Sequence, residues 1–422
     1  MAGELHSNTI PLSNTTKFIV DNRGRTAPTA EFGIPLIATN CISNDQLYPA
    51  YEKLRFVSTE TYTNWFRSHP LPGDIILTNK GSQNGAICLV PDPVDFVIAQ
   101  DMVALRADEN IIDPLFLFAA LRSEDVQREI KNLDVSGVIP HFKKTDFDKL
   151  HLPYPKREVQ KAIGRIYYDF CVKIELNRRM NATLDAMARA LFQSWFVDFD
   201  PVRAKLDGRE PIGLDPATAA LFPAHFDHTA EGVVPTGWRA TTLGEAIEIS
   251  DSKRIPLSGR EREARQGKFP YHGAASVMDY VDDYLFDGIY ALMGEDGSVI
   301  NEDGTPVLQY VWGKFWVNNH AHVLRGKNGI CTEHLLLHLK CSNIAPFVNG
   351  AVQPKLNQGN MNRIPFILPP PAISKAFAVT IAPLYAQIRA NTDQSGTFAT
   401  LRDTLLPKLL SGTLQIKNQT TP

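Results

Sequence analysis

A short turn rich in glycine and in amide side chains lies between two apolar segments, from Asn79 to Gly85. Lys80 carries a positive charge that can meet a phosphate group. Ser82, Gln83 and Asn84 carry the hydrogen-bond donors and acceptors that pair with the edges of nucleic-acid bases. The same composition also suits a hairpin that serves only the fold, so both interpretations of this turn stand.

Basic residues in other loops are candidates for contacts with phosphate. Arg23 and Arg25 form the clearest short cluster in the first part of the chain, and Lys253 and Arg254 begin a longer basic run in the second part. Charged runs are more often a solvated face than a binding site. Further candidates follow Gly-to-Pro turns and are Lys143, Lys144, Lys355 and Asn357.

Catalytic and metal-binding patterns are missing from the sequence. It contains no G-x-x-x-x-G-K-[ST] phosphate loop, no G-x-G-x-x-G that opens a helix after a strand, and no Asn-Pro-Pro-aromatic run. His320 and His322 lie two residues apart on one face of a predicted strand, but no cysteine or carboxylate has suitable spacing for a third metal ligand. We therefore expect no catalytic residue and no metal site, and structural roles for the two histidines.

Composition narrows the class of protein. The 422 residues are 44% hydrophobic, which suffices for the cores of two or three domains. Five scattered cysteines, the lack of a signal-like N-terminus and the lack of a membrane-length apolar run predict a cytoplasmic protein with reduced thiols. The net charge of −3 offers no overall attraction to nucleic acid, so any such contact requires basic residues gathered on one face.

A long helix is predicted from Pro155 to Val197. Its apolar residues recur in alternating steps of four and three, at Val159, Ile163, Ile166, Phe170, Met180, Leu184, Met187 and Leu191. This spacing is typical of a coiled-coil seam, although an ordinary core helix can share it. Lys173 and Asn177 occupy seam positions, and together with Asn391 in a second long helix they are predicted to set the register of helix pairing.

Three aromatic residues close this helix: Phe192, Trp195 and Phe196. A cluster of large aromatic side chains is typical of a surface that docks another subunit. It is equally typical of a plain cap on a hydrophobic core.

The two halves of the chain repeat one order of features, which is a mixed segment of strands and turns, then proline, then a long helix. The matched positions are Val103–Arg106 with His322–Arg325, Ser136–Val138 with Asn349–Ala351, Leu150–Pro155 with Phe366–Pro371, and Asn177 with Asn391. The stretch Met293–Val299, with Ser298 as its candidate contact, then corresponds to the first turn. We infer an internal duplication; the alternative is two unrelated α+β domains with tail helices.

The predicted architecture is α+β, with two mixed α/β modules related by duplication and separated by two long antiparallel helices. Its segments are a first module at 1–154, a central helix at 155–200, a linker at 201–236, a second module at 237–368, a C-terminal helix at 369–416 and a polar tail at 417–422. The first module has predicted strands at Ile34–Ala38, Asp74–Thr78, Ala86–Val90, Phe96–Ile98 and Met102–Leu105, and a predicted helix at Pro114–Asn132.

Several stretches, by their order and spacing, resemble the specificity subunit of type I restriction–modification enzymes. The most specific are Leu71–Val90, Ala188–Lys205, Pro235–Glu245 and Leu401–Leu414, and Gly33–Ile37 is also similar. The resemblance covers the chain from about Lys17 to Leu414. The W-x-x-x-x-L-G opening at Trp238–Gly244 has no counterpart before the first module, which leaves the start of that module open.

The resemblance implies two target-recognition domains, each of which reads one half of an asymmetric bipartite site in double-stranded DNA. It implies that the long helices separate these two domains. It also implies a non-catalytic subunit that docks two methyltransferase subunits and the endonuclease subunits, with no membrane involved. Those partners would use S-adenosylmethionine, ATP and Mg²⁺ to methylate adenine at N6 and to cut unmethylated DNA. The alternatives are a stand-alone DNA endonuclease and a coiled-coil scaffold for protein partners that does not bind DNA.

Overall fold

The structure is a computed structural model that describes residues 8–22, 24–133, 140–229, 232–350 and 352–415. Unit 1 comprises residues 1–179 and 392–422, and unit 2 comprises residues 180–391. The division cuts both long helices, because each stretch of helix shares a hydrophobic core with one module. Each unit therefore differs from the predicted segments by including part of each helix.

The module of unit 1 is built mainly from antiparallel strands. The strands are β1 (Thr9–Pro11), β2 (Thr16–Asp21), β3 (Ile34–Ile37), β4 (Arg55–Val57), β5 (Ile75–Thr78), β6 (Ile87–Leu89), β7 (Val97–Ile98), β8 (Met102–Ala107) and β9 (His151–Pro153). The helices are α1 (Thr59–Asn64), α2 (Pro114–Leu121) and α3 (Glu124–Asn132), followed by the long helix α4 (Arg157–Phe192). Strands β2, β8, β5 and β6 form a four-stranded antiparallel sheet, β4, β3 and β7 form a second sheet, and β1 pairs with β9.

The core of unit 1 lies between the four-stranded sheet, α2 and the start of α4. All residues of α2 from Phe116 to Leu121 are buried, and Ile163 and Tyr167 of α4 join the same cluster. Asp113 caps α2 by accepting hydrogen bonds from two backbone N–H groups, and Pro114 occupies the first turn, where it needs no hydrogen-bond donor. The continuous apolar strands β5 and β8 are buried along their whole length except at Arg106.

The predicted strands of the first module coincide with β3, β5, β6, β7 and β8 to within two residues at each end. The single predicted helix Pro114–Asn132 is wrong, because the chain breaks it into α2 and α3 at Arg122 and Ser123. The Arg122 side chain is buried and donates from Nε to the carbonyl of Ile87 at 3.0 Å. Sequence periodicity does not reveal a break that is stabilised by such a distant partner.

The module of unit 2 is built on a larger sheet. Its strands are β10 (Phe226–Thr229), β11 (Gly232–Pro235), β12 (Arg239–Thr242), β13 (Ile247–Ile249), β14 (Gln266–His272), β15 (Val277–Val281), β16 (Phe286–Gly294), β17 (Leu308–Val317), β18 (Ala321–Gly326) and β19 (Pro365–Leu368). Its helices are α5 (Asp200–Leu206), α6 (Pro216–Ala220), α7 (Leu243–Ala246), α8 (Gly259–Ala264), α9 (Thr332–Cys341), α10 (Gln358–Asn362) and the long α11 (Pro371–Leu410). The sheet order is β13, β18, β16, β17, β14 and β15, and β12 pairs with β19 and β10 with β11.

The segment 201–236, predicted as a linker, is part of the body of unit 2. It contains most of α5, all of α6 and the hairpin β10–β11. Val202, Phe222 and Val234 are buried in the same core as α9 and the start of α11. These apolar residues lack a helical or strand period, because short elements at different angles bury them.

The two modules share the register of their central strands, which confirms the internal duplication. In unit 1, Ile75 to Thr78 of β5 lie opposite Leu105 to Met102 of β8. In unit 2, Ala291 to Gly294 of β16 lie opposite Leu324 to Ala321 of β18. The match of Val103–Arg106 with His322–Arg325 made from the sequence is therefore the structural match.

Both modules have an arginine at the same position of this strand, but the two side chains make different contacts. Arg106 of β8 makes a bidentate ion pair with Asp74, at 2.9 and 2.8 Å. At the same place in unit 2, Arg325 lies over the ring of Tyr290, 5.1 Å from its centroid. Both arrangements hold a guanidinium against the neighbouring strand, one by charge and one by a cation–π contact.

The modules also begin alike, although the W-x-x-x-x-L-G pattern is found only in the second. The N–H of Leu12, after β1, donates to the carbonyl of Leu150, and the N–H of Leu243, after β12, donates to that of Ile364. Both leucines are fully buried. Leu150 therefore corresponds to Ile364. The match made from the sequence pairs Leu150 with Phe366, which is two residues too far along the chain.

The long helices pack in antiparallel fashion within each unit, as predicted. In unit 1, Phe170 lies against Phe398, and Tyr167 lies against Arg402. In unit 2, Asn181 is bonded to Asn391, and Phe192 lies against Phe377. As the residue number rises along α4, the number of the partner on α11 falls. Of the described helices, none is long and apolar enough to span a membrane.

Candidate nucleic-acid interface

The turn that follows β5 is a closed loop with an exposed tip. Thr78 donates its hydroxyl to the carbonyl of Gln83 and accepts from the N–H of Ala86 at 2.9 Å, which closes the loop at its base. Ser82 and Gln83 are exposed, and Lys80 is half-buried. The predicted turn therefore exists and presents polar side chains to solvent.

A second segment, around Pro140 to Lys144, packs directly against this turn. The N–H of Gly81 donates to the carbonyl of Pro140 at 2.9 Å, and the N–H of Phe142 donates to the carbonyl of Asn79 at 2.9 Å. Lys80 and His141 face each other as an isolated antiparallel bridge. The structure thus brings Lys80, Ser82 and Gln83 together with Lys143, which is exposed.

The same construction recurs in unit 2 with the same peptide groups. The N–H of Gly297 donates to the carbonyl of Pro354 at 3.1 Å, and the N–H of Leu356 donates to the carbonyl of Glu295 at 3.0 Å. Asp296 and Lys355 form the isolated bridge. Ser298 is exposed at the position that Ser82 occupies in unit 1.

The two interfaces differ in charge at equivalent positions. The bridge carries Lys80 and His141 in unit 1 but Asp296 and Lys355 in unit 2. The Lys355 ammonium group lies 3.5 Å from the Asp296 carboxylate, and its side chain is 60% exposed. One backbone scaffold therefore displays different side chains at equivalent positions of the two units.

Several predicted contact residues already have partners within their own unit. Asn84 accepts through Oδ1 from the N–H of Phe142 at 3.3 Å, and Asn357 caps α10 by accepting from the N–H of Asn360 at 2.8 Å. Lys144 donates to the carboxylate of Asp21. These three side chains thus have partners that hold the loops, and their contacts with bases or phosphate stay predictions.

Arg254 is a further correction. Its side chain is 11% exposed, its Nη1 atom lies 2.5 Å from the Glu295 carboxylate, and its Nη2 atom lies 3.5 Å from Asp251. A guanidinium paired with the buried Asp251 and the partly exposed Glu295 is not available to phosphate. Its neighbour Lys253 and the predicted Arg25 are exposed, whereas Arg23 lies outside the described residues.

The aromatic residues predicted to dock another subunit are core residues. Phe192, Trp195 and Phe196 are 2%, 2% and 6% exposed. They pack on Phe377 of α11, with ring centroids 6.3, 5.4 and 4.7 Å from its ring. Side chains so enclosed cannot supply a docking surface, so the alternative interpretation as a core cap applies. The turn Gln193–Val197 is π-helical, which gathers the rings on one side.

Two of the three predicted register residues lie in the helix seams. Asn177 is 6% exposed and donates to Gln394 at 3.0 Å and to Ser395 at 3.2 Å. Asn391 is 4% exposed and donates to Asn181 at 2.9 Å. Lys173 is exposed and does not belong to the seam. The buried face runs through Ile163, Tyr167 and Cys171 in steps of four, which turns position 173 towards solvent.

Sequence reasoning missed a buried polar network beneath the second interface. The Asp251 carboxylate accepts from His322 Nδ1 at 2.6 Å, from the N–H of Val323 at 2.9 Å and from Gln358 Nε2 at 2.6 Å. The other ring nitrogen of His322 lies 2.7 Å from the carbonyl of Leu356. The sequence predicts a structural role for His322 but for no other member of this network. The available signal was that each module has an aspartate after the equivalent strand, Asp21 in unit 1 and Asp251 in unit 2.

The network holds opposite charges in a low-solvent environment. Burial alone would lower the pKa of His322, but the hydrogen bond and charge of Asp251 outweigh it and hold the pKa above its ordinary value. Burial would raise the pKa of Asp251, but the donors from His322 and Val323 hold it below its ordinary value. Glu295 completes a group of three possible metal-ligand residues within 4.8 Å. Because their atoms already bond to Arg254, to Gln358 and to one another, we interpret the group as an ion-pair network.

Comparison with known proteins gives a family match across both modules. The model of the type I restriction modification DNA specificity domain matches residues 22–186 and again 235–395. The type I restriction enzyme HindI specificity subunit of Haemophilus influenzae is 24% identical over 406 residues, which cover 81% of this chain and 86% of that protein. The MjaIX specificity subunit of Methanocaldococcus jannaschii is 23% identical over 363 residues, which cover 82% and 78%.

A solved structure shares the fold. The crystal structure of the S subunit of a type I restriction–modification system from M. genitalium aligns with a TM-score of 0.54 at 16% identity, over 96% of each chain. The alignment spans both modules and the long helices between and after them.

Proposed function

This chain belongs to the type I restriction–modification DNA specificity family, and from that membership we propose that it reads a bipartite, asymmetric site in double-stranded DNA, one half with each module. The observation that carries the proposal is the repeated interface, in which the same peptide hydrogen bonds expose Ser82 in one unit and Ser298 in the other. Two half-sites on one duplex present the same groove twice, which suits two copies of one scaffold. The different residues at the bridge positions support half-sites of different sequence.

We further propose that the chain is the non-catalytic subunit of a larger assembly. Two methyltransferase subunits would use S-adenosylmethionine to methylate adenine at N6, and endonuclease subunits would use ATP and Mg²⁺. The charged groups beneath the second interface are bonded to one another and to loop peptide groups. This arrangement supports a role in holding a recognition surface rather than in bond-making chemistry.

The experiment is to map N6-methyladenine in a genome that carries this chain and its methyltransferase, and again after deletion of the gene for this chain. We expect a bipartite motif that disappears on deletion. Ser82→Ala should then relax one half of the motif and Ser298→Ala the other, since the loss of a single hydrogen bond to a base edge costs about 0.5–1.5 kcal/mol. Lys17→Gln and Lys327→Gln are matched controls, because these exposed lysines lie at the opposite ends of the same sheets from the turns.

Two results would contradict the proposal. Cleavage of DNA by the purified chain with Mg²⁺ and no partner would assign it to the nucleases. Retention of the methylation motif after deletion, together with DNA binding that does not weaken as salt rises, would favour a protein scaffold.

A further inference from the structure

Each module has an aspartate at one fixed place in its sheet, at the end of the strand that borders the central pair. Asp21 is the last residue of β2 and lies opposite Val103 of β8. Asp251 follows β13, where the N–H of Ser250 donates to the carbonyl of Val323. Because Val103 and His322 are equivalent by strand register, Asp21 and Asp251 occupy the same position in the two copies.

Both aspartates accept a hydrogen bond from the same position of the segment that packs on the turn. Lys144, four residues after Pro140, donates to Asp21. Gln358, four residues after Pro354, donates through Nε2 to Asp251 at 2.6 Å. Two different side chains thus converge on one acid position, which chance packing would not produce twice.

We propose that Asp21 and Asp251 are positioning residues, each of which ties the recognition loop of its module to the sheet. We call each of the two bonds, Lys144 to Asp21 and Gln358 to Asp251, a tie. The ties are contacts within the chain, and only their consequence for DNA reading rests on the proposed function. Each tie lies one residue beyond an exposed residue that the sequence predicts as a contact, Lys143 in unit 1 and Asn357 in unit 2. Loss of a tie should loosen the loop and with it the selection of bases in that half-site.

The tie in unit 2 has an additional, titratable link. The pKa of Asp251 lies below its ordinary value, so its carboxylate is ionised, and the carbonyl of Leu356 can only accept; the two ring nitrogens of His322 therefore face two acceptors, which the doubly protonated ring satisfies. His322 is therefore an imidazolium bridge between the sheet and the loop. The charged groups that face it are Asp251, Glu295 at 3.6 Å from Nδ1, and Arg254, which pairs with both carboxylates. The equivalent residue in unit 1 is Val103, which does not titrate.

The two modules should consequently differ in their response to alkali. The pKa of His322 is raised above its ordinary value of 6.5, so its contribution is complete below pH 6.5 and is lost as pH rises through the higher folded-state pKa. A neutral ring has one N–H, so either the bond to Asp251 or the bond to Leu356 is then lost. The loop of unit 2 should therefore loosen at alkaline pH.

The first test exchanges the two kinds of tie at surface residues that the fold does not need. Lys144→Gln and Gln358→Lys convert each tie into the form found in the other module, whereas Lys144→Met and Gln358→Met abolish it. In the full chain with its methyltransferase, each Met variant should relax only its own half of the methylated motif, and the exchanged variants should keep it. If Lys144→Gln behaves like Lys144→Met, charge and not the tie is what counts, and the proposal is overturned.

Hydrogen exchange in the full chain without DNA separates this inference from the proposed function. The amides of Phe142 and Gly81 should exchange about tenfold faster in Lys144→Met, and those of Leu356 and Gly297 in Gln358→Met, because the ties restrain local opening. Unchanged exchange overturns the tie even if the methylation motif is found. Faster exchange with no motif in the wild type sustains the tie and rejects the proposed function.

The second test uses the wild-type chain and raises pH from 6.5, the ordinary histidine pKa, into the alkaline range. We expect the amides of Leu356 and Gly297 to lose protection, beyond the intrinsic rise in exchange rate, while those of Phe142 and Gly81 do not. The half-site read by unit 2 should lose stringency in the same range. Equal behaviour of the two modules would overturn the role of His322.

Discussion

At the scale of single residues, two neighbours in the sequence have opposite environments. Lys253 is exposed at the end of a 3₁₀ turn, whereas Arg254 is held between Glu295 and Asp251 with 11% of its side chain exposed. Charge and loop position are the same for both, so the sequence assigned both to DNA. The structure separates a candidate phosphate contact from a structural ion pair.

Replacing each of these residues by methionine should therefore have different effects. Arg254→Met should lower the free energy of unfolding by about 1–3 kcal/mol, because Asp251 and the partly exposed Glu295 lose a charged donor. Lys253→Met should change stability by less than about 0.5 kcal/mol and should reduce the salt dependence of DNA binding. Urea unfolding and salt titrations of DNA affinity measure the two effects. Equal stability of the two variants would contradict the assignment.

At the scale of elements, two glycines within helices mark where packing is tight and where it is not. A Cβ added at Gly164 of α4 would lie 2.4 Å from the backbone nitrogen of Phe116, so α4 rests directly on the start of α2. A Cβ added at Gly396 of α11 would meet no atom within 4 Å. The first glycine is needed for close approach, and the second only weakens its helix.

Alanine at the two positions should shift stability in opposite directions. Gly164→Ala should cost about 1–3 kcal/mol through overpacking against a backbone that cannot move aside. Gly396→Ala should add about 0.5–1 kcal/mol, because alanine restricts the unfolded chain and favours the helix. Urea unfolding of the full chain is the measurement, and destabilisation by both substitutions would show that α11 is also crowded at Gly396.

Helix α9 contributes a second prediction at this scale, through His334. The residue is 2% exposed, and its ring lies 4.3 Å from that of Phe196 and 5.2 Å from that of Phe377. Burial lowers its pKa from 6.5 to about 3, so the folded chain keeps it neutral. Its contribution to stability is present above pH 6.5 and is lost as pH falls.

Unit 2 should accordingly lose about 1.4 kcal/mol per pH unit below 6.5 from this residue alone, as the unfolded chain takes up the proton. His334→Phe removes the titration and fits an aromatic environment, so its stability should depend less on acid. Unfolding in urea at pH 7 and pH 5 compares the two chains. If the free energy of unfolding of His334→Phe depended on pH as strongly as that of the wild type, other residues would cause the acid sensitivity.

At the scale of the whole molecule, the proposed function predicts that the long helices set the distance between the two half-sites. Insertion of four residues, about one helical turn and about 6 Å, into each long helix should change the gap between the half-sites by about two base pairs. The bases read should stay the same, because the interfaces belong to the modules. Mapping of methylated adenines gives both quantities at once, and altered bases with an unaltered gap would contradict the role of the helices as a spacer.

The sequence by itself determined the α+β class, the duplication, the two long helices and the positions of both turns. These follow from apolar periodicity and turn residues, which are properties of consecutive residues and survive in each copy. The tertiary structure alone decided which side chains are available. Asp21 meets Lys144 across 123 residues and Asp251 meets Gln358 across 107, and distant core residues bury Phe192 and its neighbours. Burial and pairing depend on segments that only folding brings together, which is why the sequence could not show that Arg254, Asn357 and Lys144 are bonded within their own unit while Ser82 and Ser298 are exposed.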